Sequence, residues 1–238
     1  FLYSPDLDLW HHTHLMDATA GTHLIPPAFA LPAPGQDVEY SPEVRGWLAE
    51  FEAKYGPRGT SARTVDQVPL DWTCGPARII DVRGLADPQP GSDLPRSPEI
   101  TPEHISGFEK NNGSLKPGDI VIFQTGYIDQ HLKPAPNDQD LWVKPLAGKS
   151  AGWPAPTPDT IQLLAQKGIR CIATDAPDLG GVNPKAACMT YWMLGTKDLA
   201  GVEFLFQIDQ IRPNSHFLFA AIRIRDGHAA PGRAIAVW

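Results

Sequence analysis

The stretch DATAGTHLIPPAFALP, residues 17–32, has one histidine, His23, which follows a Gly-Thr pair and precedes two adjacent prolines. Histidine binds metals and transfers protons near neutral pH, whereas glycine and proline are typical of turns. Three interpretations are open: a metal-binding loop, a different active site on the same loop, or a stiff turn. The segments that follow along the chain bear on the choice.

Three later segments have the pattern of helices with well-marked first turns. SPEVRGWLAEFEAKYG (residues 41–56) has Ser41 as a cap, Pro42 at the first helical position and a terminal glycine. Thr-Pro pairs begin two others, TPEHISGFEK (101–110) and TPDTIQLLAQKG (157–168). The first helix lies in residues 35–66, which we interpret as a helical insertion that serves as a lid, a dimerisation element or a packing helix.

Short apolar runs rich in β-branched residues alternate with these helices and predict strands. The runs are ARIIDVR (77–83), DIVIFQTG (119–126), IRCIATD (169–175), VEFLFQID (202–209) and HFLFAAIRIRDG (216–227). Strands alternating with helices indicate an α/β fold with a mixed sheet and flanking helices. The sequence thus predicts a single α/β domain over residues 1–238.

Composition excludes several classes of function. The net charge of −7, with no run of Lys or Arg, argues against a nucleic-acid partner. The longest apolar stretches, such as FLFAAI, are far shorter than the roughly 18–20 residues of a transmembrane helix. We therefore expect neither nucleic acid nor a membrane as partner.

Three cysteines at irregular spacing match neither a metal knuckle nor a dense disulfide framework. This indicates a reducing, cytoplasmic setting. The chain begins FLYSPDLDLW, without Met or the pattern of a signal peptide, so we expect the natural N-terminus to lie further upstream.

The order of six segments along the chain is more specific than any single motif. AGTHLIPPAF is followed by TVDQVPLDWTCGPARIIDVRGL, LKPGDIVIFQTGY, GIRCIATDAPDL, VEFLFQIDQI and PGRAIAV. This succession resembles the cyclase family of α/β hydrolytic enzymes, which includes bacterial kynurenine formamidase and isatin hydrolase. The resemblance implies a swivelling β/β/α fold, a homodimer or homotetramer, and metal-dependent hydrolysis of an amide or lactone.

The family signature is H-x-G-T-H-x-D-x-P-x-H, in which the first two histidines and the aspartate bind metal and the last histidine is the acid/base. His23 occupies the second histidine position, within the matching Gly21-Thr22 and Pro27 context. The other three functional positions are changed, to Thr19, Ile25 and Phe29. The resemblance therefore indicates the fold. The substitutions, however, remove most of the metal ligands that are usual in the family.

A second histidine and a glutamate, twelve residues apart, complete the family site. Glu203 fits the glutamate position, but Tyr191 stands where the histidine is expected. Because zinc sites normally use at least three protein ligands, His23 and Glu203 alone are too few. If the segment before Thr19 is extended, Asp17 shares its face about 6.6 Å away and is the better substitute ligand.

Several other residues have two interpretations each. Tyr191 is either a proton donor or pocket lining beside Trp192. Asp175 is either a functional carboxylate at a strand end or a cap of the turn that follows that strand. Cys188 is interpreted as a buried, inert thiol. The cluster His11, His12 and His14 has either a structural or a metal-binding role.

These residues support three hypotheses. The first is an enzyme that acts on a small cyclic amide, lactone or carbonyl compound by hydrolysis, cyclisation or related proton-transfer chemistry, and not by the family's two-His/Asp metal mechanism. Its catalytic residues would be His23, Glu203, Tyr191 and Thr22. It would use either no cofactor or a Zn or Mn ion bound by Asp17, His23 and Glu203. Its substrate would be lined by Thr19, Ile25, Phe29, Trp192 and Asp175. The second is a non-catalytic binding protein, in which apolar residues replace the former ligands. The third is an inactive subunit that pairs with an active homologue.

Overall fold

The computed structural model describes residues 2–4, 9–11, 16–85, 95–134 and 137–238. The strands are β1 (Leu2–Ser4), β2 (Leu9–His11), β3 (His23–Ile25), β4 (Cys74–Asp81), β5 (Glu99–Ile100), β6 (Ile120–Gln124), β7 (Ala155–Pro156), β8 (Cys171–Thr174), β9 (Ala200–Glu203), β10 (His216–Ala221) and β11 (Ala230–Val237). The helices are α1 (Pro42–Tyr55), α2 (Pro102–Asn112), α3 (Tyr127–His131), α4 (Val143–Leu146), α5 (Pro158–Gln166) and α6 (Pro184–Thr196).

A closed barrel forms the centre of the fold, with the strand order β10-β11-β3-β9-β8-β6-β4. The neighbours β4, β6, β8 and β9 run parallel, and the remaining pairs are antiparallel. Two short pairs, β1 with β2 and β5 with β7, lie outside the barrel. The predicted α/β fold with a mixed sheet is confirmed. The sequence analysis did not predict that this sheet closes into a barrel.

Alternate residues of each barrel strand face two different cores, as the two-residue period of a strand requires. Leu24, Val202 and Phe217 belong to the cluster inside the barrel. Ile25 and Ile172 belong to the cluster between the barrel and the helices. The strands β3, β6, β8 and β9 are buried on both faces, whereas β4, β10 and β11 have exposed residues.

The predicted helix starts are confirmed. The hydroxyl of Ser41 accepts a hydrogen bond from the amide of Val44, 3.3 Å away, and α1 ends at Gly56 with a φ of 86°, a conformation that glycine adopts at little cost. The helices α2 and α5 start after Thr101 and Thr157, as predicted. Packing of Phe51 against Trp192, with ring centroids 5.7 Å apart, joins α1 to α6.

Two predicted strands are shorter than expected. The run 202–209 leaves the barrel after Glu203, because Phe204 has a left-handed backbone with a φ of 62° and cannot continue a strand. The run 216–227 ends at Ala221, and a turn with Asp226 at a φ of 55° follows. Both errors come from apolar residues that continue past the end of the strand.

Two further expectations concern transmembrane helices and the cluster of His11, His12 and His14. Within the described ranges, no helix is long and apolar enough to cross a membrane. His12 and His14 lie outside the described residues, and for His11 only the backbone, at the end of β2, is described. The role of this histidine cluster stays a prediction.

Candidate functional site

The antiparallel pairing of β3 with β9 places His23 directly opposite Glu203. The Nε2 atom of His23 lies 3.0 Å from the Oε2 atom of Glu203. Only 3% of His23 and 2% of Glu203 is exposed to solvent. Residues from distant parts of the chain thus form one buried acid–base pair, because opposed residues on one face of a sheet meet.

Both ring nitrogens of His23 are engaged. Nδ1 lies 2.8 Å from the carbonyl oxygen of Gly21, which only accepts hydrogen bonds, so Nδ1 carries a hydrogen. Burial lowers the pKa of His23, but the hydrogen bond and the charge of Glu203 outweigh this effect and raise the pKa above its ordinary value of 6.5. The geometry therefore favours an imidazolium that donates to both Gly21 and Glu203.

The second carboxylate oxygen of Glu203 binds two further donors. The Tyr191 hydroxyl donates to Oε1 over 2.8 Å, and so does the amide of Leu179. Burial raises the pKa of Tyr191 well above 10, and the charges of Asp178 and Glu203 act in the same direction. Tyr191 is therefore a neutral phenol. We call His23, Glu203 and Tyr191 together the Glu203 network.

A second carboxylate, Asp178, lies beside the Glu203 network, and the sequence analysis missed it. Its Oδ1 atom accepts hydrogen bonds from the Trp153 indole over 2.9 Å and from the amides of Gly180 and Gly181 over 2.8 and 2.7 Å. Burial, together with the charge of Glu203, raises the pKa of Asp178 to about 7. The signal in the sequence was a carboxylate just beyond a strand end and before a Gly-Gly pair, in ATDAPDLGG.

The two apolar substitutions of the signature also lie at this site. Ile25 packs so closely on Gly201 that a Cβ atom there would lie 2.6 Å from its Cγ1 atom. The ring of Phe29 lies 5.1 Å from the ring of Tyr191 at an interplanar angle of 58°. The structure therefore brings Ile25 and Phe29 next to the Glu203 network, where they supply apolar surface and no ligand.

The remaining polar positions of the signature form local hydrogen bonds. The Thr22 hydroxyl donates to the carbonyl oxygen of Phe204 over 2.7 Å, which ties the start of β3 to the end of β9. The amide and hydroxyl of Thr19 both donate to Oδ1 of Asp17, over 2.8 and 2.7 Å. Both Asp17 and Thr19 are exposed.

The assumption that Asp17 precedes Thr19 in an extended strand is wrong. The amide of Ala20 donates to the carbonyl oxygen of Asp17 over 3.1 Å, so these residues form a turn. An aspartate that binds the backbone two residues later is typical of such turns. The strand geometry that favoured Asp17 as a substitute ligand is therefore absent.

Two other predicted pocket residues make structural contacts. Trp192 is buried against Phe51 of α1. Asp175 accepts hydrogen bonds from the amide and hydroxyl of Thr125, over 2.6 and 2.7 Å, and from the amide of Gly126 over 2.8 Å. Its carboxylate therefore caps the turn after β6, and not the turn that follows its own strand β8, as the capping interpretation had it.

The cysteine of α6 offers no nucleophile. Cys188 is half-buried, and burial raises the pKa of its thiol, which disfavours the reactive thiolate. This agrees with the interpretation of Cys188 as an inert thiol.

The side chains at this site do not fit a divalent metal ion. Ile25 and Phe29 have no donor atoms, and both nitrogens of His23 already have partners. Within the described part of the chain, no three His, Cys, Asp or Glu residues are placed to hold an ion, whereas zinc sites normally have three or more protein ligands. The chemistry available to the Glu203 network is therefore proton transfer and hydrogen bonding by side chains.

Comparison with known proteins shows the family of the chain. The family model "Cyclase", described as "Putative cyclase", matches residues 3–180. The chain belongs to the cyclase family. The resemblance seen in the order of the sequence segments is thereby confirmed.

Relatives within the cyclase family are enzymes. The chain is 28% identical to a kynurenine formamidase of Salinibacter ruber over 177 residues, which cover 73% of this chain and 67% of that protein. It is 25% identical to an isatin hydrolase of Roseibium aggregatum over 231 residues, covering 90% and 85%. A crystal structure of an isatin hydrolase bound to thioisatinate superposes with a TM-score of 0.66 at 19% identity, over 93% of this chain and 72% of that one. At this identity the superposition shows a shared fold.

Proposed function

We propose that this cyclase-family protein is a hydrolase that opens a small cyclic amide or lactone by proton transfer, with the Glu203 network as its proton-handling centre. The observation that carries the proposal is the convergence of His23 and Tyr191 on one carboxylate, each within 3.0 Å. Three segments supply these side chains, and the resemblance to the family implies that these are positions of functional residues.

The class of substrate follows from the relatives. One is named a formamidase and the other an isatin hydrolase. Both names denote hydrolysis of a small carbonyl compound. Apolar walls from Ile25 and Phe29 beside a few fixed polar groups are typical of small-molecule pockets.

Each member of the Glu203 network has a separate role in the proposal. Tyr191 is half-buried as a residue, whereas His23 and Glu203 are buried. Its hydroxyl hydrogen turns from Glu203 toward the substrate carbonyl oxygen and stabilises the negative charge that develops there. Glu203 keeps its bonds to His23 and the Leu179 amide, and the His23 imidazolium balances its charge.

The proposal assigns no metal to the mechanism. It differs here from the metal-dependent chemistry that the family resemblance implies, because the side chains at the site lack a set of ligands. Thr22 acts by holding β3 to β9, because its hydroxyl donates to the carbonyl oxygen of Phe204.

The test is turnover with a panel of cyclic amides and lactones, including isatin, followed by proton release or absorbance. We expect ring opening of at least one compound above the uncatalysed rate, and a loss of about 10²-fold or more in His23→Gln, because the carboxylate then loses its charged partner. Lys54→Ala, which removes an exposed ion pair with Asp159, is the control and keeps wild-type turnover.

A non-catalytic binding protein is the second candidate. The observation that favours it is the burial of His23 and Glu203 behind apolar residues. Binding of panel compounds, detected as a thermal shift without any ring opening, would support this candidate and contradict the hydrolase. The prediction of a homodimer or homotetramer is tested separately, by light scattering of the purified protein.

A further inference from the structure

We infer that Asp178 is the general acid–base residue of this site: its free carboxylate oxygen takes a proton from the attacking water and returns it to the leaving group. The inference rests on the proposed hydrolase function and adds a residue that lies outside the family signature.

The hydrogen bonds of Asp178 are unevenly distributed between its two oxygens. Oδ1 accepts all three, from Trp153, Gly180 and Gly181. Among the residues that the structure describes, no hydrogen bond reaches Oδ2. A carboxylate held by one oxygen, with the other free, is oriented and able to accept a proton.

The position of Asp178 distinguishes it from Glu203. Glu203 is buried and both of its oxygens are occupied. Asp178 is half-buried as a residue, and among the described residues its Oδ2 atom has no hydrogen bond. The two carboxylates are connected through the backbone, because the amide of the next residue, Leu179, donates to Glu203. We therefore assign Glu203 as the buried anion of the site and Asp178 as the carboxylate that exchanges the proton.

The surroundings of Asp178 bring its pKa close to neutral pH. The titratable groups that face it are Glu203 from β9, Tyr191 from α6 and His23 from β3. Burial and the negative charge of Glu203 raise the pKa of Asp178 to about 7. The hydrogen bonds to its carboxylate act in the opposite direction and lower the pKa. A group with a pKa near the working pH serves as base in one step and acid in the next.

The proposed reaction on a cyclic amide is balanced without any co-reactant besides water. The water oxygen bonds to the carbonyl carbon, one water proton passes to Oδ2 of Asp178, and the carbonyl electron pair moves to its oxygen near the Tyr191 hydroxyl. The C–N bond then breaks as that electron pair returns. The ring nitrogen keeps the bonding pair and takes the proton from Asp178, so the product has a new carboxyl group and an amino group.

The kinetic test uses Asp178→Asn, which keeps an oxygen for the three donors to Oδ1 and so preserves the fold. We expect kcat/KM at neutral pH to fall by about 10²–10⁴-fold, and the fall in rate below about pH 7 to disappear with the base. If the reaction also requires the His23 imidazolium, the rate falls at alkaline pH, where His23 loses its proton. This fall is separate from the acidic limb that is assigned to Asp178. Asp159→Asn, at an exposed carboxylate on α5, is the matched control and keeps the wild-type profile.

A second variant tests the carboxylate without removing it. Trp153→Phe deletes one hydrogen bond that stabilises the charged form of Asp178, so the acidic limb of the rate profile shifts to higher pH. The indole N–H resonance of Trp153, which is assigned by its loss in Trp153→Phe, reports the titration directly. We expect a midpoint near neutral pH in the wild type and none in Asp178→Asn.

The outcomes separate the inference from the proposed function. Wild-type kcat/KM in Asp178→Asn, or a reduced rate with an unchanged acidic limb, would overturn the role of Asp178 and leave the hydrolase proposal in place. Failure of the wild-type protein to open any ring in the panel would overturn the proposed function and this inference with it.

Discussion

Replacing Tyr191 with Phe is expected to lower kcat by about 10²–10³-fold, the loss that follows removal of one donor to a developing oxyanion. The substitution removes only a hydroxyl group. Glu203 keeps the Leu179 amide and His23 as partners, so the stability loss should be about 1 kcal/mol, the net contribution of one hydrogen bond. The measurement is steady-state kinetics with the best compound of the substrate panel.

Tyr40→Phe is the matched control for this prediction. The Tyr40 hydroxyl is also half-buried and accepts a hydrogen bond from Arg58 over 2.9 Å, but it lies outside the Glu203 network. We expect kcat to stay at the wild-type value in this variant. Equal kcat values for Tyr191→Phe and Tyr40→Phe would show that the Tyr191 hydroxyl has only a structural role.

Replacing Glu203 with Ala is expected to lower the free energy of unfolding by about 3–5 kcal/mol, because a buried ion pair that loses one partner leaves the other uncompensated. His23 would then be buried without its carboxylate, and the Tyr191 hydroxyl and the Leu179 amide would lose their acceptor. Urea denaturation followed by tryptophan fluorescence measures the effect. Lys54→Ala breaks an exposed ion pair and should cost about 0–1 kcal/mol.

The cost of Glu203→Ala should also depend on pH. The folded state raises the pKa of His23 above its unfolded value of 6.5, so the folded state binds this proton more tightly. The resulting stability is fully present below pH 6.5 and is lost as the pH rises through the folded pKa. The difference between wild type and Glu203→Ala should therefore shrink as the pH rises above 6.5. A cost equal to that of Lys54→Ala, or one that grows over this range, would contradict the ion-pair assignment.

Sequence reasoning located the Glu203 network through spacing along the chain. His23, Glu203 and Tyr191 were each named from their positions in a family pattern, and the pairing of β3 with β9 and the contact from α6 bring them together. The helix starts at Ser41, Thr101 and Thr157 were also predictable, because capping chemistry is local. Such features depend on residues close in sequence or on a shared fold.

Other features depend on contacts that no local pattern encodes. Asp178 acquires its environment from Trp153, 25 residues earlier in the chain, and from the charge of Glu203 on another strand. The turn at Asp17 formed because its carboxylate binds the backbone of Thr19, which removed the extended geometry that strand parity assumes. The left-handed Phe204 ended a strand within an apolar run. In each case tertiary or turn geometry prevailed over a repeating pattern.

We propose that this cyclase-family protein catalyses hydrolysis with side chains alone. The most direct test is ring-opening turnover before and after exhaustive dialysis against a chelator, with metal content measured by mass spectrometry on the same samples. The account predicts less than stoichiometric metal and the same kcat in both samples. Stoichiometric zinc or manganese, with turnover lost on chelation and restored by adding the ion, would contradict it.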